Sequence, residues 1–278
     1  MTIIFDIFPS VGHQQASYKL AKLLQENGNK VIYIGKHKYL NKLPNQFERQ
    51  YIQPHLFSFI EKREKKIFKN IRIAIDEKKT HKNYMINREV FRKYDELLNK
   101  TKPDVILLDH HYIQKAIFYY SYKIPVISIQ TAPASNMNIN IPPFNSPYIP
   151  SNSTYSKYRI KYLWMRHLFG KQIRNKLNFL LFLGEDHLSE VKKLAKEMNF
   201  PLKQYIDFNH YKGYGEFGLK NIPQLLLSPK DFDFPYELKN NQYAIGPLYS
   251  VIKEEPIDNR YLKVLKYLLI EKKIKAFL

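Results

Sequence analysis

His13 and Asp109 are the residues of this chain whose types best suit proton chemistry. An imidazole titrates near neutral pH and can take a proton from a hydroxyl. A carboxylate on its other ring nitrogen fixes the tautomer and stabilises the imidazolium that forms. The two residues stand 96 positions apart (109 − 13), so only the fold can join them. From spacing alone two readings stand: a base with its orienting carboxylate, or a turn histidine at a helix N-terminus.

The elements around them favour a meeting. An apolar run, Ile3 to Phe8, stops at Pro9 and a short turn ending in Gly12-His13. A helical pattern follows, with Ala16, Leu20, Leu23 and Leu24 on one face, and Gly28 ends it as a left-handed stop. Val31-Ile32-Tyr33-Ile34 reads as a second buried strand. A second strand–helix–strand unit runs through Pro103 to Asp109, Ile113 to Tyr122 and Ile124 to Ile129. Such units mark a parallel sheet, whose ligands bind at the carboxyl ends of the strands. In that arrangement Asp109 and Thr131 face the crevice that holds His13. The expected class is α/β, a Rossmann-like parallel sheet flanked by helices.

The remaining chain is read more coarsely. Phe47 to Gln53 holds a short strand, and two charged helical segments span Phe57 to Lys79 and Tyr84 to Asn99. Thr131 to Ser153 is a long Pro-, Asn- and Ser-rich loop, of the kind that is often functional. Tyr155 to Leu181 is a basic helical pattern, in which Lys157, Arg159, Lys161, Arg166, Lys171, Arg174 and Lys176 interleave with Tyr158, Tyr162, Trp164 and Phe169. A further helix fits Glu185 to Met198, and short strands fit Gln224 to Ser228 and Gln242 to Ile245. Glu254-Glu255-Pro256 reads as linker, Tyr261 to Ile270 as a helix, and Ile274 to Leu278 as the start of another strand.

Certain residues resemble a known family. Phe8-Pro9-Ser10-Val11-Gly12-His13, Leu20 to Leu24 and Gly28 to Val31 are similar to the opening of the GT-B nucleotide-sugar-dependent glycosyltransferases, the macrolide-type and UDP-glycosyltransferase group above all. Pro103 to Asp109 resembles that group's strand bearing the catalytic aspartate, and Ile124 to Ile127 with Thr131-Ala132-Pro133 the next strand and its loop. Ser228-Pro229 and Tyr243 to Leu248 resemble the close of its N-terminal domain. The ordered set carries the resemblance; no single motif is highly specific. It implies one half of a GT-B fold: residues 1–250 as the acceptor-binding domain, and 251–278 as linker and start of a truncated donor domain. It implies an inverting, metal-independent hexosyl transfer from a nucleotide sugar, UDP-linked, to a hydroxyl of a small or lipophilic acceptor. The nucleotide sugar serves as co-substrate and no cofactor is expected. His13 and Asp109 become the catalytic pair, Thr131 a contact to the donor sugar, and Gly12 and Trp164 acceptor-binding positions. Ala16 departs from the proline common in the group, which alters a helix start and not the chemistry. The alternative is a non-catalytic acceptor-binding domain, inactive without a donor-binding partner chain.

Rival sites are weaker. Gly213-Tyr214-Gly215-Glu216-Phe217-Gly218 fits G-x-G-x-x-G, but lacks the flanking strand and helix and reads as a loop. Asp109-His110-His111 offers metal-ligand types, yet adjacent residues rarely converge on one ion and nothing in the sequence completes the set, so no metal is expected. The chain has no cysteine, which excludes disulfides, thiolate nucleophiles and cysteine–zinc sites. A formal net charge of +20 suggests anionic company or simple solubility; the lysines are spread along the chain, which favours the latter. No nucleic-acid module signature is present, and none of the apolar runs reaches membrane-spanning length. The opening Met1-Thr2-Ile3 reads as first strand, not signal peptide. The expected location is therefore the cytoplasm. The basic aromatic stretch from Tyr155 admits three readings: an acceptor-cleft lid, peripheral contact with the inner membrane face, or a helix packed on the sheet with its lysines in water.

Overall fold

Alternating isoleucine, valine and leucine build both sides of one sheet. The computed structural model describes residues 1–52, 88–131, 140–143, 146–181, 187–208, 218–228 and 238–246. In chain order the strands are β1 (Thr2–Asp6), β2 (Lys30–Gly35), β3 (Glu48–Tyr51), β4 (Val105–Asp109), β5 (Val126–Gln130), β6 (Ile206–Asp207), β7 (Gly218–Leu219), β8 (Gln224–Leu226) and β9 (Gln242–Ala244). Seven of them form a parallel sheet in the order β3-β2-β1-β4-β5-β8-β9. The sheet is thus doubly wound, and the order reverses between β1 and β4. There the helices leave in opposite directions and open a crevice at the strand ends.

Register aligns the side chains in rows. Ile4 lies beside Ile32 and Ile106, and that row faces one core with Leu108, Ala116, Ile117 and Leu194. Ile3, Phe5, Val31, Tyr33, Val105 and Leu107 face the other, with Leu20 and Leu24. Strands buried on both faces read as continuous apolar runs, which is why β1, β2, β4 and β5 were visible in the sequence.

The helices are α1 (Val11–Glu26), α2 (His37–Leu40), α3 (Arg88–Thr101), α4 (Ile113–Ser121), α5 (Thr154–Leu181), α6 (His187–Glu197) and α7 (Leu202–Tyr205). α1 ends as its sequence predicts. Gly28 adopts φ +82°, its N–H reaches the Gln25 carbonyl, and the Asn29 N–H reaches the Leu24 carbonyl, the paired bonds of a Schellman stop. At its other end the expectation is corrected: Gly12 and His13 are not in a turn but in the first helical turn, which begins at Val11. Gly246, in the segment that follows β9, has a backbone reason: a Cβ there would lie 2.2 Å from the Leu227 carbonyl oxygen.

Two more features depart from the sequence reading. β6 and β7 pair antiparallel as a small separate ribbon, with Asp207 opposite Gly218. Two-residue strands leave no periodic signal, so neither was visible. α5 does not bury all its aromatics on one side. Ser156, Ile160 and Trp164 are buried, whereas Tyr158, Tyr162, Phe169, Ile173 and Leu177 are exposed. The segment 57–79, the linker and helix proposed in 251–278, the boundary at residue 250 and most of the Gly213–Gly218 motif lie outside the described residues.

Candidate active site

The strand ends bring His13 to Asp109 across the switch point. β1 delivers the chain through Phe8 and Ser10 into α1, so His13 stands in the helix's first turn, above the end of β1. β4, hydrogen-bonded to β1, ends on Asp109. The His13 Nδ1 lies 2.7 Å from Asp109 Oδ2. The Asp109 side chain is fully buried, while 19% of the His13 side chain remains exposed. Thr131, just past β5, puts its Oγ1 3.0 Å from the same His13 Nδ1.

These contacts set the proton positions. Asp109 Oδ2 also accepts the Phe8 N–H (3.2 Å), and Oδ1 accepts the His111 N–H (3.1 Å). Burial pushes the Asp109 carboxyl up. The His13 hydrogen bond, the charges of His13 and His110 and the His111 N–H outweigh it, and the carboxyl is held below its usual range. Asp109 is therefore ionised at neutral pH and can only accept. In that bond the proton must sit on His13 Nδ1, which leaves Nε2 as the nitrogen with the free lone pair. That is the tautomer a general base requires.

The surroundings are aromatic. Phe8 lies against His13 and His111, with ring centroids 5.4 and 5.2 Å apart, and His13 lies 5.2 Å from His111. His13, Asp109 and His111 each offer an atom to one place, all within 4.8 Å of one another. The sequence reading considered Asp109, His110 and His111 alone and found nothing to complete a metal site; the fold supplies His13. A cation there would compete with donors that Asp109 already accepts from Phe8, His111 and His13.

The other expected positions separate. Gly12 is exposed, and a Cβ built on it would meet nothing within 4 Å, so open space lies beside His13 on the helix N-terminus. Trp164 is 2% exposed and its indole N–H donates to the Ile141 carbonyl at 2.7 Å. It anchors α5 against the stretch before it and presents no open surface.

One buried cluster was not foreseen. Asp6, at the end of β1, accepts from Lys115 Nζ (2.6 Å) and Tyr119 OH (2.7 Å); the same ammonium donates to Tyr94 OH (2.9 Å). Burial pulls the Lys115 ammonium below its usual range, opposed by the charge of Asp6 and its hydrogen bond. Lys115 also lies 3.8 Å from the centroid of Tyr112, whose ring packs on Phe8, so this cluster supports the site from beneath. Its signal was available: a carboxylate inside the run Ile3 to Phe8, and a lysine as the one charged residue of α4.

Fold and site together define a doubly wound α/β domain with a histidine–carboxylate pair at its switch point. Among solved structures the chain is similar to CalG4, the calicheamicin glycosyltransferase, at 15% identity over 88% of this chain and 51% of that one, with a TM-score of 0.48. It is also similar to the glycosyltransferase VinC in complex with dTDP (10% identity, 87% and 52% covered, TM-score 0.42) and to the spinosyn rhamnosyltransferase SpnG (17%, 48% and 35%, TM-score 0.34). The chain spans about half the length of CalG4 and VinC or less of such chains. No protein-family model and no curated protein matches it.

Proposed function

We infer that the crevice at the ends of β1 and β4 is the acceptor side of a glycosyl-transfer site. The carrying observation is the 2.7 Å bond from His13 Nδ1 to the buried, ionised Asp109. His13 Nε2 takes the proton of an acceptor hydroxyl. The acceptor oxygen forms a bond to the anomeric carbon of a sugar, and the bond from that carbon to the phosphate oxygen of a nucleoside diphosphate breaks. Attack opposite the leaving group inverts the anomeric centre. Asp109 stabilises the imidazolium, and no step needs a metal. Thr131 Oγ1 meets the same His13 Nδ1 that Asp109 holds, and stands where a donor sugar would approach. The open space at Gly12 suits a small or lipophilic acceptor. The donor in this reading is a UDP-linked hexose, held by a second, donor-binding domain.

The test is a transfer assay of this chain together with a donor-binding domain, with UDP- and dTDP-linked hexoses and a panel of lipophilic hydroxy acceptors, read by mass spectrometry and by the anomeric coupling of the product. His13→Ala should lower the rate by about 10²–10⁴ fold, the usual contribution of a positioned base. An unchanged rate in that variant, or a retained anomeric configuration, overturns the assignment.

A further inference from the structure

We propose that the outward face of α5 docks on an anionic lipid surface. This helix runs for 28 residues, about 40 Å, and is apolar on two opposite sides. Ser156, Ile160 and Trp164 lie on the side that packs inward. At about 100° per residue, Tyr155, Tyr158, Tyr162, Met165, Phe169 and Ile173 fall on the other side. They are exposed, from 44% for Ile173 to 70% for Tyr158, and the stripe continues through Leu177 and Leu180. A helix that only covered a sheet would place polar residues there.

Charge decides what this face fits. α5 contains Lys and Arg but no Asp or Glu, in a chain of net charge +20. Arg159 and Arg166 flank the stripe along one edge and Lys161 along the other, Lys176 stands within its last turns, and all four are exposed. An apolar stripe with cations at its margins is the pattern of a helix lying in a membrane interface, where the side chains enter the acyl boundary and the cations meet headgroup phosphates. A second copy of α5 laid along the first would bring the same uncompensated cations together. Bases of a nucleic acid would stack on the tyrosines, but Met165, Ile173, Leu177 and Leu180 offer them no such face. A lipid leaflet accommodates the aromatic and the aliphatic members alike.

The experiment is sedimentation of the full chain with vesicles of phosphatidylcholine alone or mixed with phosphatidylglycerol. Binding to the anionic vesicles is expected, with little to the neutral ones, and weakening as salt rises. Met165→Ser/Phe169→Ser leaves the net charge unchanged and should weaken partitioning about tenfold or more, because it removes only the inserting groups. Lys161→Glu/Arg166→Glu should abolish the preference for anionic vesicles. Both variants change exposed positions, and unchanged thermal melts will show that they fold. A Phe169→Trp chain should shift its emission to the blue on anionic vesicles and be quenched by brominated acyl chains. Equal binding by Met165→Ser/Phe169→Ser and the unchanged chain would reduce the effect to net charge and overturn the proposal. So would a dimer in light scattering, or single-stranded DNA binding, that the same variant destroys while vesicle binding persists. None of these readouts depends on transfer activity, so the lipid face and the transfer site fail independently.

Discussion

Asp109 is completely buried yet stays charged because donors surround it: the His13 imidazole, and the N–H groups of Phe8 and His111. A carboxyl held below its usual range in the folded chain stabilises that chain above its unfolded pKa. The contribution is lost as pH falls through the depressed folded value. Thermal melts of the unchanged chain should therefore fall steeply once pH drops below about 4, the ordinary carboxylate value. Asp109→Asn should melt lower at neutral pH and show a flatter acid limb; parallel curves would show that Asp109 contributes nothing through its charge. The histidine and its carboxylate were legible as residue types suited to each other. Their 2.7 Å contact was not, because 96 residues separate them.

At the scale of elements, α4 and β1 are joined by a buried ion pair as well as by apolar packing. Lys115 and Asp6 are 2% and 0% exposed. Breaking one partner leaves the other charge buried and alone, which costs about 3–5 kcal/mol. Lys115→Met should lower stability by that amount in urea denaturation. Asp6→Leu/Lys115→Met should recover much of the loss, since a pair removed whole leaves no stranded charge. A double variant no more stable than the single would assign the cost to packing instead. α5 teaches a different lesson about elements. Helical periodicity puts Trp164 opposite Tyr162 and Phe169, but only burial tells which of the two sides packs inward.

At the scale of the whole molecule, the parallel order β3-β2-β1-β4-β5-β8-β9 makes one switch-point crevice, and it is occupied by His13, Asp109, Thr131 and the Phe8 ring. In the proposed reaction this crevice serves the acceptor, while the nucleotide belongs to a second domain. Calorimetry with UDP-hexoses should accordingly show no micromolar binding to this chain by itself. Robust micromolar binding would place a donor site within these residues and require a different division of labour.

Local chemistry set much of this in the sequence. Continuous apolar runs specified β1, β2, β4 and β5, because a strand covered on both faces has no polar side to show. Gly28 specified the end of α1, because its left-handed φ of +82° suits glycine above other residues. The α/β class and the placing of His13 and Asp109 at one edge of the sheet followed from strand polarity. Tertiary structure alone decided the rest. It decided that Thr131 bonds His13 Nδ1, that His111 joins the cluster, that Asp6 finds Lys115, and that Trp164 turns inward while its neighbours turn out. These contacts join side chains from different elements. Periodicity records which face of an element is apolar, but not which residue of another element will meet it.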